Sequence, residues 1–187
     1  MNKEKKNEKK IGSANRGISD MFRTSYRTHI ELSAIADNKS NIMISINGII
    51  ISIVIASISP KIDSNPWLLI PTAVLLLTCL GSLIYAVLTA IPRVSKSVIS
   101  LNDVRQNKAN ILFFGNFYTM PKDDYVEGLE ELMQDSRRLY DNMARDLHGL
   151  GNVLAKKYKL LRISYSVFMV GLVLSVLSFI GVFALVV

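Results

Sequence analysis

One cysteine, Cys79, is all the thiol chemistry in 187 residues, so no disulfide forms within the chain. It falls in an apolar run, where a thiol serves as a small hydrophobe. Histidine is almost as scarce. His29 and His148 have no partners at metal-ligand spacing, and no metal site is expected. There is no P-loop and no dinucleotide fingerprint. Gly149 and Gly151, in HGLGNV, lie within a helical pattern and lack the strand such a loop needs before it. No nucleophile is paired with a base in a recognisable pattern, so no catalytic residue is assigned and an enzyme is not expected. Zinc-knuckle, RNP-type and helix-turn-helix patterns are missing too, which removes nucleic acid from the expected partners.

Apolar residues and positive charge are what the chain has in excess. Half the residues are apolar, yet the formal net charge is +7. These features conflict in a soluble domain. They agree in a membrane protein, whose apolar residues collect in spans and whose basic residues collect on one side. Residues 41–59, NIMISINGIIISIVIASIS, cover about 28 Å as a helix, enough for a bilayer core. Residues 60–66 hold Pro60, Lys61, Asp63 and Pro66 and form a turn. A second run, 67–91, opens on Trp67 as an interfacial aromatic and carries Pro71 early, where a missing N–H costs little. The third run is 163–187. The expected fold class is therefore an all-α membrane protein: three transmembrane helices with a helical cytoplasmic segment, 92–162, between spans two and three. Gly48, Ser52 and Ala56 lie four apart on span one, either as a packing face or as ordinary span composition.

Charge sets the direction. Nine of the 22 Lys and Arg precede residue 41, one lies in the turn, and twelve fall within 92–162. The positive-inside rule then makes the N-terminus and the middle segment cytoplasmic, and the C-terminus extracytoplasmic. Residues 1–18 read as a disordered basic N-terminus. They are charged like a signal-peptide n-region but lie too far from the first apolar run to be one. Residues 19–40 read as a cytoplasmic helix leading into span one, with Ser19 as N-cap and Asp20 in the first turn.

Four polar residues stand where that helix meets the bilayer: Asp37, Lys39, Asn41 and, inside the span, Asn47. Asp37 and Lys39 are two apart and face different sides of a helix, so they do not satisfy each other. Lys39 is expected to snorkel to headgroups. Asp37 asks for a cation on another helix, an Arg of the cytoplasmic segment. Asn47 asks for an interhelical hydrogen bond, as a packing contact or as pore lining. These four are the candidates for coupling a signal to the membrane.

In the middle segment, 94–109 is expected to be helical, and 110–120, NILFFGNFYTM, an extended segment or ordered loop. From Pro121 a long helix is expected, with acids in its first turns and apolar residues alternating at four and three except near Ser136. Arg137 with Asp141 and Asn142 with Asp146 are expected i, i+4 pairs. A small cyclic nucleotide needs cations for its phosphate, amides for base edges and aromatic faces for stacking. Arg105, Lys108, Asn110, Phe113, Phe114 and Asn116 supply all three, although such a run also serves to cap a small core.

Three blocks in order, RTHIELSAIADNKSNIMISINGIIIS, NILFFGNF and RRLYDNMARDLHGLGNVLAKKYKLLRISY, resemble the transmembrane effectors of bacterial Pycsar anti-phage systems, the PycTM family. The resemblance covers about 23–171. It implies an adjacent pyrimidine cyclase that makes cyclic CMP or cyclic UMP on infection. It also implies an effector that takes this messenger as activating ligand and impairs the bacterial inner membrane, so that the infected cell dies. The expected partners are that nucleotide, membrane lipids and further copies of the chain, since three spans cannot easily enclose a pore; no cofactor is expected. The rival reading is a non-enzymatic membrane scaffold that anchors a partner protein through the long cytoplasmic helix.

Overall fold

The computed structural model describes residues 2–58, 66–92 and 98–186, with side chains between 16 and 185. Every regular element among them is helical. They are α1 (Asn2–Ile58), a 3-10 turn (Pro66–Leu68) leading into α2 (Leu69–Ala90), α3 (Leu101–Arg105), α4 (Phe114–Phe117), α5 (Lys122–Gln134) and α6 (Ser136–Val186). The all-α architecture with three helices long and apolar enough to cross a membrane is as expected. Two compact units share α1 and α6: Met1–Leu32 with Pro92–Leu154, and Ser33–Ile91 with Ala155–Val187.

The first unit is built on a small apolar core of Ile99, Val104, Ile111, Met120 and Leu132, flanked by Leu101, Tyr125 and Leu139. Ser100 and Asp103 form a reciprocal capping box that starts α3. Gly128 lets α5 lie close on this core, because a Cβ there would come within 2.8 Å of Ile111 Cδ1. Phe22 of α1 stacks on Tyr140 of α6, with ring centroids 6.0 Å apart.

Several local expectations change here. Of the helix expected over 94–109, the described residues show Leu101–Arg105 as helical; 93–97 lie outside the described residues. Of the two alternatives for 110–120, the structure has the ordered loop, as turns around α4, and not the extended segment. The long helix from Pro121 is two helices, because Asp135 adopts an extended backbone and its Oδ1 accepts the N–H groups of Arg137 at 3.0 Å and Arg138 at 3.2 Å. That carboxylate caps the first turn of α6. Asp141 pairs with Arg145 at 2.9 Å, not with Arg137. Asn142 donates to the Arg138 carbonyl, and Asp146 is taken by Asn110. The backbone of α1 is helical from Asn2. Of the 60–66 turn, all but Pro66 lies outside the described residues.

The second unit holds the spans in up-down-up order. Apart from Pro71, their buried positions are spaced three, four or seven apart: Ala36, Ser40, Met43 and Asn47 on α1; Thr72, Cys79, Ser82, Ala86 and Thr89 on α2; Leu161, Ser164, Gly171 and Ser175 on α6. Such spacing is the seam of left-handed helix packing. Nearly all these residues are small, so the backbones come close. The bulky side chains Ile49, Ile53, Leu77, Leu80, Leu174 and Leu177 point outward, as lipid-facing positions must. Gly48 meets nothing within 4 Å and Ser52 bonds back to its carbonyl, so that face makes no contact with the other described spans.

Candidate functional site

Hydrocarbon offers no partner to a polar side chain, so polar groups inside a span must find one on the protein. In the second unit they find each other. Asn47 Nδ2 donates to the Met43 carbonyl at 2.8 Å and to Ser82 Oγ at 3.1 Å. Ser82 Oγ donates to the Ser164 carbonyl at 3.0 Å, and Ser164 Oγ donates back to the Ser82 carbonyl at 2.8 Å. One amide and two hydroxyls therefore tie all three spans together. Ser40 donates to the Ala86 carbonyl, and Ser175 donates to the Pro71 carbonyl at 3.3 Å. Among the described residues Asn47 Oδ1 is the buried side-chain acceptor with no partner. A buried acceptor without a donor costs about 1–3 kcal/mol.

Above this seam sits an ion pair. Lys157 Nζ of α6 lies 2.7 Å from both carboxylate oxygens of Asp37 on α1 and donates to Ser33 Oγ at 3.0 Å. The lysine side chain is 12% exposed and the aspartate 39%. Asp37 thus has the interhelical cation its position demanded, but it is a lysine rather than the expected arginine. Of the four junction residues, Asp37 and Asn47 bridge helices, whereas Lys39 and Asn41 stay exposed.

The nucleotide candidates lie in the first unit. Arg105 is held by the carboxylates of Glu127 and Glu131, which clamps α3 to α5. These bonds hold the Glu131 carboxyl below its usual range and raise the arginine. Lys108 is exposed. Asn110 accepts from the Leu112 N–H at 2.9 Å and donates to Asp146 Oδ1 at 3.1 Å, while Asn116 donates to the Asn110 carbonyl at 2.9 Å. Phe113 and Phe114 are 5.8 Å apart, and Phe114 and Tyr118 form an exposed tilted pair at 6.2 Å. The structure therefore joins Asn110 and Asn116, leaves Lys108 and Phe114 on the surface, and engages Arg105 elsewhere. Asp146 is also adjacent to Tyr26 of α1, whose hydroxyl donates to the Met143 carbonyl at 3.1 Å. Burial, then the hydrogen bond and charge of Asp146, push this phenol above its ordinary range.

Lys157, Ser82 and Ser164 were not singled out by the sequence. The available signal was the seven-residue spacing of Ser40 with Asn47, Ser82 with Thr89, and Ser164 with Gly171, which puts small or polar residues on one face of each span. Asn47→Leu tests what the seam does. It removes membrane hydrogen bonds of about 0.6 kcal/mol each together with a solitary acceptor costing about 1–3 kcal/mol. Thermal unfolding in detergent is expected to show unchanged or higher stability, with any membrane-damaging activity lost. A variant that is destabilised yet fully active removes the seam from the mechanism.

The model of the family described as Pycsar effector protein domain matches residues 20–185. No curated protein and no solved structure matches.

Proposed function

The chain belongs to the Pycsar effector protein family, and on that premise we propose that it is a non-catalytic anti-phage effector of the bacterial inner membrane. It is activated by cyclic CMP or cyclic UMP from an adjacent pyrimidine cyclase and then impairs the membrane, killing the infected cell. The observation that carries this reading is the Asn47–Ser82–Ser164 link, which joins three spans through polar groups with one acceptor to spare. An acceptor left without a partner is a group that a second arrangement of the spans could satisfy, as a two-state element requires.

The messenger would meet Lys108, Phe114 and Tyr118, which are exposed on the first unit. Lys108 faces the phosphate, the rings take the base, and the amides of Asn110 and Asn116 read its edge. To do so, Asn110 gives up Asp146, the carboxylate beside Tyr26. Capture therefore frees a carboxylate of α6 that stands beside Tyr26 of α1, and both helices continue into the seam. Arg105 and Phe113 support the loop, and Arg105 reaches a ligand only by leaving Glu127 and Glu131. The distribution of Lys and Arg supports a cytoplasmic position for this surface and the N-terminus, with the C-terminus outside. Outward apolar faces on all three spans suit assembly of several copies, with lipid filling the rest.

The test is dye release from vesicles of phosphatidylethanolamine and phosphatidylglycerol carrying the full chain. Cyclic CMP or cyclic UMP is expected to speed release by about tenfold or more, with cyclic AMP inert, since an activating ligand must bind the two states unequally. Calorimetry on the same protein should show saturable binding of the active nucleotide. A folded protein that neither binds nor leaks overturns this reading in favour of a membrane scaffold.

A further inference from the structure

Lys39 of α1 and Lys159 and Arg162 of α6 line one cavity of about 690 Å³, together with Tyr158, Tyr165 and Leu161. No carboxylate lines it, and none of the three cations makes an ion pair among the described residues. The acid nearest to Lys39 along α1, Asp37, is already occupied by Lys157. Three uncompensated cations around one volume make a local field that attracts an anion. An arginine fork beside two lysines suits the non-bridging oxygens of a phosphate ester. The volume is in the range that small-ligand sites occupy.

What lies beneath the cavity narrows the anion further. Lys39 stands two residues before the first apolar run, and Arg162 stands one residue before the third. On α1, Ile42 and Ile46 follow Lys39 at three and seven residues, on the same helix face, and both are exposed. On α6, Tyr165 and Met169 follow Arg162 at the same intervals and are exposed too. Each cation thus heads an apolar stripe descending along its span. A charged head above, with apolar tracks below it, has the shape of a phospholipid. A soluble phosphodiester would use the cations and leave the tracks bare. We propose that this cavity is a specific site for a phosphodiester anion, supplied by the headgroup of an anionic phospholipid in the leaflet where these helix ends lie. Its occupant bridges α1 and α6 beside the Asp37–Lys157 pair, so lipid composition sets how firmly these helices are held.

The test is native mass spectrometry of the full chain, released from micelles with equal dioleoyl-phosphatidylglycerol and dioleoyl-phosphatidylcholine. The wild-type chain is expected to keep phosphatidylglycerol over phosphatidylcholine by about tenfold. K39Q/K159Q/R162Q should lose that preference. K122Q/R137Q/K156Q removes the same charge from exposed positions outside the cavity and should keep it. Equal loss in both variants means diffuse attraction and overturns the site, as does a wild-type chain without preference. Displacement of the lipid by cyclic CMP or cyclic UMP, abolished in the cavity variant, keeps the phosphodiester site and overturns the lipid as its source. Circular dichroism checks that the variants fold. Arg162→Lys keeps the charge but not the fork, and its expected partial loss reads the site without a triple change; full retention counts against the proposed geometry.

Discussion

Gly171→Leu is expected to dismantle the packing of α2 against α6. Gly171 is buried, and a Cβ there would fall on the side chain of Thr78. Four residues further along, Ser175 reaches the Pro71 carbonyl, so the two backbones run close over this whole stretch. Added volume in a packed interior costs about 1–3 kcal/mol and occasionally more. Leucine belongs at the upper end because neither backbone can retreat without breaking the Ser82–Ser164 exchange. Gly171→Ala is the milder version, expected to cost about 1–3 kcal/mol in thermal or denaturant unfolding in detergent. Thr78→Ala removes Oγ1 and Cγ2, two of the three obstructing atoms, so the double variant should recover about 1 kcal/mol or more of the loss. Strict additivity of the two changes would show that this approach is not what holds the helices.

Reversing one charge of the Asp37–Lys157 pair has the second large effect. In Lys157→Asp two carboxylates meet where one salt bridge stood, and in Asp37→Lys two ammonium groups do. Breaking a fully buried pair costs about 3–5 kcal/mol, and exposed pairs contribute about 0–1 kcal/mol. A lysine at 12% exposure facing an aspartate at 39% lies between these limits. Each reversal is expected to cost about 1–3 kcal/mol after that discount for solvent. The double exchange Asp37→Lys with Lys157→Asp should regain most of it, since Ser33 can donate to the new carboxylate as readily as it accepts from the old ammonium. The readouts are unfolding in detergent and dye release with and without cyclic CMP or cyclic UMP, scored in all four proteins. If the exchange rescues neither, the pair is incidental to how α1 and α6 are held.

The three spans were legible because length and apolarity alone define them, and the need of Asp37 for a partner was legible because charge at a bilayer boundary is expensive. Which cation answers that need was not. Lys157 and Arg162 are both basic and five residues apart, and only the rotation of α6 against α1 decides that the first faces Asp37 while the second faces the cavity. Asn47 announced itself as an amide among isoleucines. Ser82 and Ser164 did not, since a serine in a span can bond to its own helix, as Thr72 does to the Leu68 carbonyl. Arg105 looked available because Glu127 and Glu131 lie 22 and 26 residues away. The break at Asp135 showed only as the interruption of the spacing near Ser136, which a single long helix could also have carried on a solvated turn. Local pattern fixes the faces of a helix, whereas register between helices depends on contacts no single segment encodes.

Cys79 occupies the same α2 seam as Ser82 and Ala86 and is fully buried. The chain has no second thiol, so any alkylation of the native protein by a thiol reagent reports one atom at one place. While the helices stay closed the reagent is shut out. The labelling rate then measures how often they part, the logic by which amide exchange measures local opening. The protein carries its own chemical clock for the parting of these helices, already wound and needing no engineered probe.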